Sequence, residues 1–208
     1  MVWAKVKGTT LNKDKKTLLA NALLVTILSL VVAVPGWITW GQAQTKESLP
    51  CPPSQATEGF APPPGAPVGT GIGEVAPDFT LVTSTGEKVA LSDFRGCVVL
   101  LDFWASWCGP CQATMPYLEK LEARFKNQGL VVLGVSLDGS AERAAAFLRA
   151  FGLQDLIVLW GSYEEIAEVA RMYNVFAIPH VLLIDRRGIV RFSGHPAQLT
   201  PELIEPWL

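Results

Sequence analysis

The pattern of apolar and polar positions divides the chain into three stretches. Residues 17–45 contain no Asp, Glu, Lys or Arg, and residues 18–34 are almost continuously apolar (Leu-Leu-Ala-Asn-Ala-Leu-Leu-Val-Thr-Ile-Leu-Ser-Leu-Val-Val-Ala-Val). About 20 apolar residues in a helix cross the roughly 30 Å hydrocarbon layer of a bilayer, so a single transmembrane helix over 17–40 is expected. Lys5, Lys7, Lys13, Lys15 and Lys16 precede it, and Lys46 and Glu47 follow it. This bias puts the leader 1–16 in the cytoplasm and everything after Trp40 outside, with Trp37 and Trp40 near the outer headgroups. A cleaved signal peptide ending near Gly41-Gln42-Ala43 is the alternative, but the long basic leader and long apolar stretch favour a retained signal-anchor. Both readings export the rest of the chain, either as a single-pass membrane protein with a periplasmic domain or as a secreted one.

Residues 41–72 lose apolar periodicity and carry Pro50, Pro52, Pro53, Pro62, Pro63, Pro64 and Pro67 among Gly and Ala, a composition expected of an extended linker. From residue 73 the pattern becomes that of one domain, 73–208. Runs at 78–82 and 88–91 flank Ser84-Thr85-Gly86 and predict a hairpin. The run 97–105 is apolar except for Asp102 and predicts a strand buried on both faces. Over 111–127, Met115, Leu118, Leu121 and Phe125 share a helical stripe while Glu119, Lys120 and Glu122 fall off it. Further strands are expected at 130–135 and 156–160, and helices at 141–150, ended by Gly152, and at 163–172. A second hairpin, 181–184 and 189–192, turns at Asp185-Arg186-Arg187-Gly188. Strands alternating with helices imply an α/β sheet with helices on both faces.

Composition narrows the function only by exclusion. The net charge of −2 and 17% charged residues give no basic field for nucleic acid. Four cysteines in 208 residues are too few for a disulfide scaffold. Cys51 lies in the linker and reads as incidental, and Cys97, opening a buried strand, reads as a small core hydrophobe.

The chemistry lies in Trp107-Cys108-Gly109-Pro110-Cys111. A thiol acts as a nucleophile only as the thiolate, and Cys108 falls where a buried strand gives way to a helix, whose free amides and dipole favour negative charge. Pro110 suits a helix start. Cys111, one turn on, can attack a mixed disulfide formed at Cys108, and Trp107 offers a partner chain an apolar shoulder. Zinc would need two further ligands, and His180, His195, Cys51 and Cys97 are poorly spaced to supply them. A purely structural disulfide closing so small a ring would constrain the unfolded chain little.

Residues 102–111 resemble the active-site region of thioredoxins. Pro116 resembles the proline that kinks the family's active-site helix, and Ile178-Pro179 resembles its cis-proline loop. The stretches Gly73-Glu74-Val75-Ala76-Pro77-Asp78-Phe79 and Leu91-Ser92-Asp93-Phe94-Arg95-Gly96, with 173–188, narrow the resemblance, over roughly 73–208, to TlpA/ResA-like proteins; the opening is also similar to that of peroxiredoxins. The resemblance implies a thioredoxin fold, a central mixed sheet with helices on both faces and an N-terminal hairpin extension. It implies a redox-active Cys108–Cys111 disulfide and Asp102 as the buried carboxylate that moves a proton for Cys111. A carboxyl in that apolar strand should also have a raised pKa from desolvation alone. Trp107, Gly109, Pro110, Ile178 and Pro179 would bear on an extended substrate chain. His180, beside the proline, reads either as a packed strand residue or as a group tuning Cys108. The implied activity is that of a membrane-tethered protein-disulfide reductase for exported proteins, apocytochrome c among the plausible substrates, fed by a DsbD/CcdA-type membrane donor and needing no cofactor. A thiol oxidase or isomerase would use the same residues. A peroxidase is disfavoured because no Pro-x-x-x-Thr/Ser-x-x-Cys precedes Cys108, and a non-enzymatic thioredoxin-fold binding module would tolerate loss of that cysteine.

Overall fold

A computed structural model describes residues 59–153 and 156–208. The leader, the expected transmembrane helix, Cys51 and the first part of the linker lie outside the described residues. Among the described residues no helix is long and apolar enough to cross a membrane.

β1 (Thr80–Thr83) and β2 (Lys88–Ala90) form the first hairpin, turned at Gly86 with φ 85°, a conformation that suits glycine. β3 (Val98–Trp104), β4 (Leu130–Ser136) and β5 (Ile157–Trp160) alternate with α1 (Gly109–Phe125), α2 (Ala141–Phe151) and α3 (Tyr163–Met172). The second hairpin is β6 (His180–Ile184) and β7 (Val190–Gly194), and the chain closes on the one-turn α4 (Pro201–Ile204). The seven strands form one sheet in the order β2-β1-β5-β4-β3-β6-β7. β3, β4 and β5 are parallel, whereas β6 runs antiparallel to β3 and the hairpin strand β1 antiparallel to β5. The sheet is therefore mixed, with its parallel part in the middle, as crossover helices require.

Every residue of β3 and β4 is buried, because both faces are covered. One face carries Val98, Leu100 and Trp104 against Met115, Leu118, Leu121 and Phe125 of α1 and Phe147 of α2. The other carries Val99, Leu101 and Phe103 against Phe79, Leu91, Ile166 and Tyr173. Alternation along the strand sends successive side chains to opposite faces, so Asp102 shares the α1 face with Leu100 and Trp104.

The elements lie where the apolar pattern puts them, with differences at their ends. α1 starts two residues before the expected 111, since Cys108 serves as its N-cap with extended backbone and Pro110 fits its first turn. The stretch after β2 winds into a 3₁₀ turn, Leu91–Phe94, capped by the Asp93 carboxylate on the Ala90 N–H. α4 is too short to show periodicity; Leu199 and Ile204 nevertheless complete the α1 face, and Tyr117 donates to the Leu199 carbonyl at 2.8 Å. Part of the expected linker is docked on the domain. Val68 bridges Val75, the Gly69 N–H donates to Val75 O at 2.9 Å, and Arg187 Nε donates to Ala61 O at 3.1 Å. One expectation is overturned: Cys97, 1% exposed, is disulfide-bonded. Its burial matches a small hydrophobe, but its sulfur is in a covalent bond.

Gly134 of β4 lies opposite Asp102 in the register, and a Cβ there would sit 2.8 Å from Trp104 Nε1 and 3.3 Å from its Cδ1. The fully buried indole cannot swing away. Gly134→Ala is therefore expected to lower stability by about 1–3 kcal/mol, the usual cost of overpacking, read as a fall in the urea midpoint at unchanged slope.

Candidate active site

The site forms where β3 ends. The Cys108 N–H donates to Ala105 O at 3.1 Å, closing a turn, and the next residue begins α1. Cys108 Sγ accepts a hydrogen bond from the Cys111 N–H at 3.2 Å, so the sulfur fills the N-cap role usually taken by a side-chain oxygen. This places it against the unpaired amides and positive dipole end of a 17-residue helix, where negative charge is favoured. Cys108 and Cys111 are disulfide-bonded, their Cα atoms 5.2 Å apart. Cys108 retains 6% exposure and Cys111 none, so an incoming chain meets the first sulfur and not the second.

The residues expected to bear on a substrate ring this sulfur. Trp107 is 65% exposed, and Gly109 and Pro110 are exposed beside it. The Ile178-Pro179 peptide is cis, and the Ile178 carbonyl oxygen lies 3.9 Å from Cys108 Sγ. Ile178 is half-buried and Pro179 buried. Pro116 lies inside α1, where its missing N–H leaves the Gln112 carbonyl without its helical partner.

Asp102 sits between Gly134 and Val181 in the sheet, 2% exposed, on the face shared by Cys108, Cys111 and Met115. Burial away from water pushes its carboxyl from the ordinary 3.8 up to about 7, the direction desolvation imposes on an acid. Its Oδ1 and the Trp104 Nε1 have no hydrogen-bond partner among the described residues. A carboxyl that titrates near neutrality can both accept and return a proton.

His180 pairs with Phe103 and so shares the opposite face of the sheet from Cys111. Its Nε2 is 3.0 Å from Ser193 Oγ, and burial lowers its pKa. This placement is that of a packed strand residue.

Three residues around the site were missed by the sequence reading. Ser106 Oγ donates to Asp138 Oδ1 at 2.6 Å and the Ser106 N–H to Asp138 Oδ2 at 2.9 Å. From the other side, Gln112 Nε2 donates to the Ser106 carbonyl at 2.7 Å. The available signal was Asp138 itself, a carboxylate just past an apolar strand, since sites in such sheets gather at the carboxyl ends of parallel strands.

Residues 72–193 match the family described as AhpC/TSA. The chain is 38% identical over 120 residues to the thiol-disulfide oxidoreductase ResA of Geobacillus kaustophilus, covering 58% of this chain and 67% of that one. It is 36% identical over 138 residues to the thioredoxin-like protein YneN of Bacillus subtilis, covering 66% and 79%. Among solved structures it is similar to a putative thiol:disulfide interchange protein DsbE from Chlorobium tepidum (39% identity, TM-score 0.55, covering 60% of this chain and 85% of that one). It is also similar to the thioredoxin domain of a Bacteroides vulgatus thiol-disulfide oxidoreductase (28%, TM-score 0.58, covering 65% and 94%).

The raised Asp102 pKa has a consequence for stability. Between 3.8 and about 7 the folded protein holds a proton that the unfolded chain has released, so stability falls as pH rises through that window. A rise of this size corresponds to about 4 kcal/mol. His180 acts in the opposite sense, which makes a paired comparison necessary. Asp102→Asn should gain on the wild type by up to about 4 kcal/mol between pH 4 and pH 8, measured by urea unfolding of both proteins at each pH. A difference that does not vary with pH would refute the buried-acid reading.

Proposed function

The chain belongs to the AhpC/TSA family and is a thiol–disulfide oxidoreductase of thioredoxin-like fold, and we propose that it works as a reductase of disulfides in exported proteins. The observation that carries the exchange chemistry is the buried Asp102 carboxyl, pushed up to about 7, on the same face as the fully buried Cys111. The reducing direction is supported by the resemblance of Gly109-Pro110 and Asp102 to reducing thioredoxins. A reductase must deprotonate its second thiol to release a client, and a nearby group titrating near neutrality does that.

The reaction starts with both cysteines reduced. Cys108 thiolate, held at the helix start, attacks one sulfur of a client disulfide; the client's other sulfur leaves as thiolate and takes up a proton. Asp102 carboxylate then accepts the Cys111 proton, and the Cys111 sulfur attacks Cys108 Sγ. The mixed disulfide breaks, and the client's second sulfur leaves as a thiolate and takes up the proton that Asp102 returns. The client departs with two thiols while the enzyme keeps the Cys108–Cys111 disulfide seen here. Two electrons have passed to the client. The exposed Trp107 and the Ile178 carbonyl flank the sulfur and would hold the client chain during the exchange.

Restoring the dithiol requires an electron source. The charge-free stretch 18–34 behind a lysine-rich leader supports a single membrane anchor with the catalytic domain on the extracytoplasmic side, and hence a membrane donor of the DsbD/CcdA type. Tethering would raise the enzyme's effective concentration near membrane-bound partners. Apocytochrome c, whose thiols must be reduced before haem attachment, is a fitting substrate class.

Equilibration with glutathione is expected to give a potential nearer the roughly −270 mV of thioredoxin than the roughly −120 mV of the oxidant DsbA; a value at the oxidising end would reverse the assignment. Cys111→Ser, lacking the resolving sulfur, should accumulate mixed disulfides with exported clients, detectable on non-reducing gels. Cys108→Ser should abolish insulin reduction.

A further inference from the structure

The pair Cys108–Cys111 explains the chemistry but not how Cys108 is kept at the helix start once the disulfide opens. In the reduced state no disulfide holds its sulfur near the α1 amides, and the turn's own backbone hydrogen bond, from the Cys108 N–H to Ala105 O, does not tie it to the sheet. Its central residue, Ser106, is nevertheless fixed through every polar group it has. The N–H and Oγ donate to the two oxygens of Asp138, at 2.9 and 2.6 Å, and the carbonyl accepts from Gln112 Nε2 at 2.7 Å. Asp138 is itself 6% exposed and anchored, since Ser136 Oγ donates to its Oδ2 at 2.9 Å and its own N–H donates back to that hydroxyl at 3.2 Å. Ser136 is fully buried at the end of β4, paired with Trp104 at the end of β3, and the Leu137 N–H donates to Trp104 O at 2.8 Å.

We infer that Asp138 is a positioning residue for Cys108: it clamps the turn to the rigid end of β4, while Gln112 clamps the same turn to α1, so that the sulfur stays aligned with the helix amides in the reduced form. Hydrogen bonds to a carboxylate are about twice as strong as neutral ones, and two of them on one residue fix orientation as well as distance. The inference rests on the redox pair alone and holds whichever way electrons flow.

A clamp that serves the thiolate predicts a shift in redox equilibrium, which a merely structural contact does not. Losing alignment destabilises the Cys108 thiolate and therefore the reduced form, so the disulfide becomes more favoured against glutathione. Ser106→Ala and Gln112→Ala change no charge and act at partly exposed positions, so they keep the test open if Asp138 variants unfold. Each, and Asp138→Asn, is expected to raise the oxidation equilibrium constant against glutathione at least about threefold and to slow iodoacetamide alkylation of Cys108 at pH 7 by a similar factor. Ser106→Ala should add little on top of Asp138→Asn, because both remove the same contact. Constants within twofold of wild type, with only the unfolding midpoint lowered, would overturn the inference. A shift toward the dithiol in Asp138→Asn would overturn it too, since that is the mark of a lost negative charge near the sulfur and not of lost alignment.

Discussion

Between Trp104, the last residue of β3, and Gly109, the first of α1, the chain has four residues in which to leave a strand buried on both faces and enter a helix. That short passage constrains everything around it. The strand cannot shift, because Val98–Trp104 is wedged between β4 and β6 with apolar layers above and below. The helix cannot shift, because its stripe of Met115, Leu118, Leu121 and Phe125 is fixed against the same strand. The residue between them that caps the helix is Cys108, and its sulfur meets the free amides as a result of packing far larger than the site. An oxygen-bearing cap would stabilise the helix equally well; a sulfur there acquires a stabilised anion and becomes reactive.

The same packing fixes the character of Asp102. A charged carboxylate in a strand without solvent contact is costly, and the protein meets that cost by keeping the group protonated to near neutrality. The acid is therefore functional and destabilising for one reason, its distance from water. Among the described residues no cationic side chain forms an ion pair with it, in contrast to Asp185, where the Arg191 guanidinium forms an ion pair at 2.7 Å. Two of the domain's buried carboxylates thus have opposite treatments: Asp185 is paired and tied into a turn, whereas Asp102 is left in apolar surroundings without an ion pair.

Most of the architecture was legible because apolar periodicity and capping residues act locally. The continuous runs at 97–105 and 130–135 announced doubly buried strands, Gly152 ended α2 in the left-handed region, and the Cys-Gly-Pro-Cys spacing announced a helix start. What was not legible depends on contacts distant in sequence. Asp138 meets Ser106 across 32 residues, and its place just past an apolar strand marks a candidate site residue without naming its partner. Cys97 has the burial of a core residue, so apolar patterning could not reveal its disulfide. The backbone hydrogen bonds of residues 61–76 run partly within the segment and partly to β7 and its turn, and the side-chain pattern carries no trace of that pairing.

The docking of that segment has a geometric consequence. Arg187, which holds the Ala61 carbonyl, belongs to the turn joining β6 to β7, and β6 runs from His180, level with Phe103, to Ile184, level with Val99. The turn is thus at the opposite end of β3 from Cys108, roughly 20 Å away along the strand. Ala61 is held at the base of the domain and the reactive sulfur lies at its tip, as a blade is fixed by its hilt. A pull transmitted through Ala61 would load the turn and the edge strand β7 before the central strand, leaving the cutting edge free to face outward.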